Sequence, residues 1–251
     1  MWLYRTSGDT DAQIVLYEYT PDRRADYPKF FLKNFSGYLH ADGYEGYHDL
    51  SDNIVVVGCL AHVRRKFDEA VKGLPKKDQG DSLAMVGKKF CDKLFTLERD
   101  FSELSAEERF KKRRELSKPV FDAFYKWLGT LTPPPKTGLY TAVVYTQNQR
   151  EYLERYLEDG RLEISNNRAE RSIKPFVIGR KNWLFANTPR GAKASAILYS
   201  IIETAKENGL NPYEYLTYIF KSAPNWDIRN NIDNLERLLP WFAPDYCKAK
   251  N

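Results

Sequence analysis

The sequence predicts a mixed α/β fold in which most of the chain after the first sixty residues is helical. Three observations support this prediction. The first sixty residues alternate between β-rich and helical segments, residues 61–157 carry apolar side chains at helical spacing, and the same spacing returns in residues 192–208. A chain of 251 residues with 42% hydrophobic content can bury a substantial core, which excludes a disordered protein.

Four short segments near the N-terminus predict β-strands. Residues 2–6 and 14–19 are rich in aromatic and β-branched side chains, and the polar run between them predicts a hairpin turn. After a short predicted helix, residues 38–41 form the third strand, which ends at Asp42. The fourth, residues 54–58, is a continuous β-branched run that is typical of a buried strand.

Residues 61–157 predict a helical region. Ser105 and Glu108 have the spacing of a capping box at the start of a long amphipathic helix, and prolines within residues 132–136 interrupt the pattern. Residues 111–114 on this helix are four consecutive basic residues. We interpret them as a solvated helix face and not as a DNA contact, because glutamates flank them.

The C-terminal part of the chain predicts two strong helices and a shorter one. Residues 192–208 carry one apolar stripe, which is formed by Ile197, Leu198, Ile201, Ile202 and Ala205. Gly209 is placed to end that helix, and Asn211 has the position of an N-cap for the next. The tail predicts a further helix before an irregular end.

The net charge of +5 is concentrated in one segment. Residues 161–193 contain eight basic residues and two acids, a net charge of +6, so the rest of the chain nets −1. Such a concentration is expected of a surface that contacts a phosphate backbone. A solvated basic face is the alternative interpretation.

Two acids are candidates for a site that processes phosphodiesters. Two-metal phosphoryl transfer uses carboxylates at strand ends and helix starts, and Asp42 ends a predicted strand. An Asp-Gly pair after a strand is also a common turn, so both roles stay open for Asp42. Glu170 lies among basic residues near the start of a short predicted helix. With Asn167 as N-cap, Glu170 could instead be the acid of a capping box.

The cysteines do not predict a disulfide framework. Cys59, Cys91 and Cys247 are odd in number and widely spaced, which predicts reduced thiols in a cytoplasmic protein. Cys59 and His62 have half of a zinc-site spacing, but no second pair completes it. The sequence also contains no glycine-rich phosphate loop and no nucleophile elbow.

Four sequence blocks together carry a family resemblance. They are residues 41–47 (ADGYEGY), residues 57–67 (VGCLAHVRRKF), residues 160–171 (GRLEISNNRAER) running into 179–185 (GRKNWLF), and residues 198–206 (LYSIIETAK). With these blocks in this order, the chain resembles the transposases of the insertion sequence 66 family from about residue 2 to residue 216.

The resemblance implies a ribonuclease H-like fold with a metal site of the DDE type, which has two aspartates and a glutamate. Asp42 matches the second aspartate and Glu170 the glutamate. The implied reaction is cleavage and joining of DNA strands in the transposition of a bacterial insertion sequence, with Mg²⁺ or Mn²⁺ as cofactor. The residues expected to shape the site are Cys59, His62, Asn166 and Asn167.

The resemblance also implies the partners of the chain. They would be DNA, as element ends and target, and further copies of the protein in the full-length family, with no membrane partner. The residues expected to contact DNA phosphates are Arg168, Arg171, Lys174, Arg180 and Lys181.

One feature of the family pattern has no match in this chain. The first catalytic aspartate of the family lies upstream of the strand that contains Trp2. We therefore expect an N-terminally truncated chain, whose ribonuclease H-like mixed sheet lacks its first strand and which is inactive alone. A non-catalytic DNA-binding remnant is the alternative, and a purely structural helical protein is a third hypothesis.

The expected domain division follows from the same resemblance. Residues 1–60 would form the first part of the ribonuclease H-like core, and residues 61–157 a large helical insertion. Residues 158–190 would complete the core with Glu170 and the basic segment, and residues 191–251 would form a helical C-terminal region.

Overall fold

The computed structural model describes residues 1–47, 50–183 and 186–249. His48, and the last two residues of the block at 179–185, lie outside the described residues. The chain packs as two compact units. We call Arg24–Asn167 the continuous unit, and Met1–Arg23 with Arg168–Asn251 the split unit. These two units differ from the four regions expected from the family resemblance. The assignment of those four regions stays a prediction.

The predicted mixed α/β class is confirmed, with much more helix than strand. The strands are β1 (Trp2–Arg5), β2 (Val15–Glu18), β3 (Gly37–His40) and β4 (Ile54–Val57). The described strands form two two-stranded sheets: β1 and β2 are the predicted antiparallel hairpin, and β3 and β4 pair in parallel. Each strand lies within one residue or two of its predicted position.

Within its described residues, the continuous unit contains β3, β4 and seven α-helices. The helices are α1 (Asp26–Phe31), α2 (Leu60–Lys72), α3 (Leu83–Asp100), α4 (Ala106–Lys112), α5 (Lys118–Leu128), α6 (Gly138–Asn148) and α7 (Arg150–Glu154). Their apolar faces, with the end of β4, bury one core that includes Val57, Phe67, Leu94, Phe121 and Phe124. Burial of these side chains is the main source of stability for the unit.

The predicted capping box at the start of α4 is confirmed. The Ser105 hydroxyl accepts the Glu108 N–H, and the Glu108 carboxylate accepts the Ser105 N–H. The helix that follows is not a single regular helix, because a π-helical turn, Arg113–Ser117, joins α4 to α5. That turn rotates Arg113 out of the exposed face and into the interior, where its side chain is fully buried.

The burial of Arg113 corrects the interpretation of residues 111–114 as a solvated face. Its three neighbours in that run are exposed, as expected. The Arg113 guanidinium, however, forms an ion pair with Glu98 at 2.7 Å and donates to three backbone carbonyls of the segment that follows α7. Those contacts fix the chain between α7 and the end of the continuous unit.

The part of the split unit that the structure describes contains the β1–β2 hairpin and four α-helices. The helices are α8 (Asn167–Trp183), whose first residue is the last of the continuous unit, α9 (Pro189–Glu207), α10 (Pro212–Ser222) and α11 (Ile232–Glu236). The helix α8 is longer than predicted and continues through Pro175, whereas α11 is shorter than predicted. Asn211 caps α10 as predicted, and Gly209 has the positive φ of 72° expected after α9.

Helix α9 covers the outer edge of β2 through two hydroxyls. The Ser200 hydroxyl accepts the Tyr17 N–H at 2.8 Å, and the Thr204 hydroxyl both accepts the Val15 N–H and donates to the Val15 carbonyl. A helix that satisfies the backbone of an edge strand prevents that edge from pairing with another chain.

The apolar stripe predicted for α9 is confirmed for Ala205, which is fully buried, and for Ile201, which packs against the same core cluster. It is wrong for two other residues. Ile197 and Leu198 are 59% and 44% exposed, and the face against β2 carries Ala196, Ser200 and Thr204 instead.

Among the described residues, no helix is both long enough and apolar enough to cross a membrane.

Candidate functional site

Asp42 lies two residues after the end of β3 in the continuous unit. The Ala41 N–H donates to the Val57 carbonyl at 3.0 Å, so the parallel pairing extends to the residue before Asp42. The half-buried Asp42 carboxylate accepts the Tyr44 N–H at 3.2 Å, which is the geometry of an Asx turn. The turn role considered for Asp42 is therefore present, and it also fixes the carboxylate at the end of the strand.

Tyr145 of α6 lies beside Asp42. A Cβ added to Gly43 would stand 2.7 Å from the Tyr145 hydroxyl, so only glycine permits this close approach. Burial, together with the charges of Cys59 and Asp42, raises the pKa of Tyr145 to about 12, and the charge of Arg65 acts in the opposite direction. The Lys66 ammonium lies 5.1 Å from the centre of the Tyr145 ring.

Cys59 and Asn166, both predicted to shape the site, are in contact. Cys59 precedes α2 and is buried, and its Sγ accepts the Asn166 N–H at 3.4 Å. The Leu60 N–H donates to the Ile164 carbonyl at 3.1 Å, which holds the two segments side by side. The Asn166 Oδ1 is buried and has no hydrogen-bond partner within the described ranges. Asp42 and Cys59 both lie close enough to Tyr145 to affect its pKa, and Asn166 contacts Cys59.

The other two residues predicted to shape the site lie at helix starts. His62 is in the first turn of α2, and its N–H donates to the Cys59 carbonyl at 3.3 Å. Asn167 is the first residue of α8 and not the residue before it, so the capping-box alternative for Glu170 does not have the predicted register. In the part of the chain that the structure describes, no three His, Cys, Asp or Glu side chains come together as metal ligands. All three cysteines are buried thiols, as predicted.

Glu170 lies in the first turn of α8 and is half-buried. It belongs to the split unit, whereas Asp42 belongs to the continuous unit. Negative charge in the first turn of a helix is stabilised by the helix dipole, which is sufficient to explain an acid at this position without a metal.

The predicted DNA-contacting residues fall into two groups. Arg168 is half-buried, and its guanidinium contacts Gln13 at 3.1 Å and Glu207 at 3.5 Å. Arg5 approaches the same Glu207 at 2.8 Å, and its hydrogen bond is the main cause that lowers the pKa of the Glu207 carboxyl. The other four basic residues have exposed side chains; they are Arg171, Lys174, Arg180 and Lys181.

Two family models match the chain, and together they cover most of it. The model described as "Transposase IS66 family" matches residues 1–194, and the one described as "IS66 C-terminal element" matches residues 200–241. The chain belongs to the IS66 transposase family. The resemblance carried by the four sequence blocks is therefore confirmed, and Asp42 and Glu170 both lie within the first matched region.

Relatives of this IS66 family member occur in Sinorhizobium fredii. The uncharacterized protein y4qI is 34% identical over 98% of this chain and 47% of its own length, and the uncharacterized protein y4hP is 31% identical over 96% of this chain and 46% of its own length. The chain thus spans about half the length of the curated relatives that it matches. No solved structure matches it significantly.

Sequence reasoning missed several members of the Asp42 neighbourhood. Tyr145 lies in the region interpreted as a helical insertion, where one tyrosine among many has no distinguishing pattern. Lys66 belongs to the sequence block of residues 57–67, but the sequence predicted no role for it. Its position over the Tyr145 ring depends on the packing of α2 against α6.

Proposed function

We propose that this chain is part of the catalytic core of a transposase, in which a ribonuclease H-like fold carries out Mg²⁺-dependent cleavage and joining of DNA strands. The observation that carries the proposal is the family match over residues 1–194, combined with an acid, Asp42, fixed at the end of a strand within that region. The described strands form two separate two-stranded sheets and not the single mixed sheet that was expected, so the ribonuclease H-like fold of the core rests on the family match and stays a proposal.

Asp42 and Glu170 are the residues proposed to hold the metal. Their carboxylates are hard oxygen ligands, which suit Mg²⁺ or Mn²⁺. Magnesium is commonly bound through one or two carboxylates, with water and substrate phosphates as the remaining ligands, so two acids fit this ion without a third protein ligand nearby. When bound, such an ion activates the attacking oxygen and stabilises the leaving oxygen of a phosphodiester.

The exposed cations of α8 are proposed to contact DNA phosphates. Lys174 follows Arg171 by three residues, and Lys181 follows Lys174 by seven. These spacings place the three side chains on one side of the helix. Arg180 extends the charged surface. Arg168 is proposed both to contact DNA and to stabilise the split unit, because its guanidinium already contacts Gln13 and Glu207.

The first test is the salt dependence of binding to duplex DNA. Lys174→Ala is expected to weaken binding to all sequences and to lower the slope of log K against log salt concentration by about 1, because one phosphate contact is lost. Lys111→Ala is the matched control, since Lys111 is also exposed but is paired with Glu107 at 2.7 Å. Equal slopes for the two variants, or no binding at about 50 mM salt, would remove the DNA-contacting surface from the proposal.

The 251-residue chain is proposed to bind DNA without cleaving it, because two carboxylates do not fully ligate two metal ions. We expect no nicking of supercoiled DNA in Mg²⁺ or Mn²⁺ above the background of Asp42→Ala. The alternative, a DNA-binding protein of the family with no catalytic role, predicts the same result for this chain. Nicking by the wild type that is lost in Asp42→Ala would overturn the expected inactivity and that alternative together.

A further inference from the structure

A cavity of about 540 Å³ lies next to Asp42, entirely within the continuous unit. Its lining consists of Gly43, Glu45, Tyr145, Asn148, Gln149 and Tyr152. One wall is the turn that follows Asp42, and the other is formed by the end of α6 and the start of α7. The volume is within the range of small-molecule sites, roughly 300–1,000 Å³.

The walls of the cavity are held by contacts with the strands. The Gly58 N–H at the end of β4 donates to the Tyr152 carbonyl at 2.8 Å, which ties α7 to the parallel strand pair. On the other wall, the close approach of Gly43 to Tyr145 fixes the turn against α6. The cavity is therefore a feature of the packed unit and not a gap between loose segments.

The chemistry of the lining selects the class of ligand. Two phenol rings offer flat apolar surface, two primary amides offer donors and acceptors, and Glu45 offers an acceptor at an exposed position. None of the lining residues is a cation, so a phosphate or carboxylate would not be stabilised inside. A flat, neutral group with hydrogen-bonding edges satisfies all of these surfaces, and a nucleobase is such a group.

The surroundings of the cavity indicate that the base belongs to a DNA strand. The Lys66 ammonium lies over the Tyr145 ring, and the charge of Arg65 also acts on Tyr145. These cations stand outside the lining and can balance the phosphate attached to a bound base. The Asp42 carboxylate lies in the same neighbourhood, where the reacting phosphodiester is proposed to be held.

We propose that this cavity takes an unstacked nucleobase of the DNA strand that is being processed, in contact with the rings of Tyr145 and Tyr152 that line it. The amides of Asn148 and Gln149 would bond to the edge of the base. The inference rests on the proposed function, because it assigns a nucleotide-positioning role to the same Asp42 site. Extrusion of a base from a stack is favourable where aromatic side chains replace the lost stacking.

The test compares two 12-nucleotide single strands that differ only in their bases. One strand is all cytosine, whose N4 amine can donate to Glu45, and the other is abasic throughout. Binding is measured by fluorescence anisotropy with EDTA present, which removes any cleavage. The wild type is expected to bind the cytosine strand about 5- to 100-fold more tightly, which is the effect of one stacked base.

Two variants locate that preference in the cavity. Asn148→Leu replaces an amide at the opening with an aliphatic side chain and Tyr152→Leu removes one ring, and each is expected to abolish most of the preference for the cytosine strand. Gln147→Leu is the matched control, because Gln147 is the exposed neighbour on α6 that does not line the cavity. Thermal unfolding of each variant checks its fold, so either of the two suffices if the other is unstable.

The possible outcomes separate the inference from the function on which it rests. Equal affinity for the two strands, or a preference that survives both cavity variants, overturns the base-binding cavity while leaving DNA binding in place. Free deoxycytidine monophosphate could also compete fully with the cytosine strand at a similar concentration of nucleotide. That result would assign the cavity to a free nucleotide and would also overturn the proposal. If the wild type binds neither strand, the proposed DNA function itself fails.

Discussion

Replacing Arg113 with alanine is expected to lower the free energy of unfolding by about 3–5 kcal/mol, the usual cost of removing one partner of a buried ion pair. The Arg113 side chain is fully buried, and Nε and Nη2 donate to the two oxygens of Glu98 at 2.8 and 2.7 Å. Alanine would leave the Glu98 carboxylate, which is only 13% exposed, without its cation. Urea unfolding followed by circular dichroism measures the change.

The large effect is expected because the same guanidinium also satisfies backbone groups. It donates to the carbonyls of Tyr156, Asp159 and Leu162, and it lies 4.8 Å from the centre of the Tyr156 ring. Arg114→Ala is the control, since Arg114 is the exposed neighbour and should change stability by less than about 0.5 kcal/mol. A loss below about 1 kcal/mol for Arg113→Ala would contradict the described packing of the π-helical turn.

Acidification from pH 6.5 to pH 4 is expected to destabilise the wild type through His40. Burial, and secondly the charge of Arg113, lowers the pKa of His40 from 6.5 to about 4. The neutral His40 ring accepts the Glu163 N–H at Nε2, at 3.2 Å. Protonation is unfavourable because it makes Nε2 a donor, which cannot accept this hydrogen bond. Since one pKa unit corresponds to about 1.4 kcal/mol, protonation of His40 is expected to lower the free energy of unfolding by roughly 3 kcal/mol between pH 6.5 and pH 4.

The sign of the effect follows from proton binding in the two states. Below pH 6.5 the unfolded chain takes up a proton at His40, whereas the folded chain does not until about pH 4. The free energy of unfolding therefore falls as the pH is lowered from 6.5 to about 4, and His40 causes no further change below about pH 4. His40→Gln keeps an acceptor for the Glu163 N–H but does not titrate, so the difference between wild type and variant isolates this contribution. An unchanged pH profile in His40→Gln would contradict a neutral buried His40.

The sequence predicted those parts of the fold that depend on neighbouring residues. The β1–β2 hairpin, the Ser105 capping box and the Asn211 cap follow from side chains that act within a few positions along the chain. The position of Asp42 at the end of β3 was predictable for the same reason. The family was predictable because four blocks of residues occur in the expected order.

Other features depend on tertiary packing and could not be predicted. The face that α9 buries is set by the need of β2 for hydrogen-bond partners, which favours Ser200 and Thr204 over the more apolar Ile197. The burial of Arg113 depends on one π-helical turn, which shifts the helical periodicity by one residue. The proximity of Tyr145 to Asp42 joins residues about a hundred positions apart, and no local pattern encodes it.

The central claim is that Asp42 and Glu170 bind a divalent metal and are more than structural acids. Asp42→Asn keeps an acceptor for the Tyr44 N–H. Glu170→Gln keeps the shape of the side chain and loses only the negative charge in the first turn of α8, which is worth about 0.3–1 kcal/mol. Asp81→Asn removes an exposed acid elsewhere and serves as the control.

The most direct measurement is Mn²⁺ binding by electron paramagnetic resonance, with the 251-residue chain and a short DNA duplex present. Asp42→Asn and Glu170→Gln are each expected to weaken Mn²⁺ binding on the order of tenfold or more while remaining folded, whereas Asp81→Asn has no effect on Mn²⁺ binding. Mn²⁺ affinity that is the same in the wild type, Asp42→Asn and Glu170→Gln would contradict the assignment of these two residues as metal ligands.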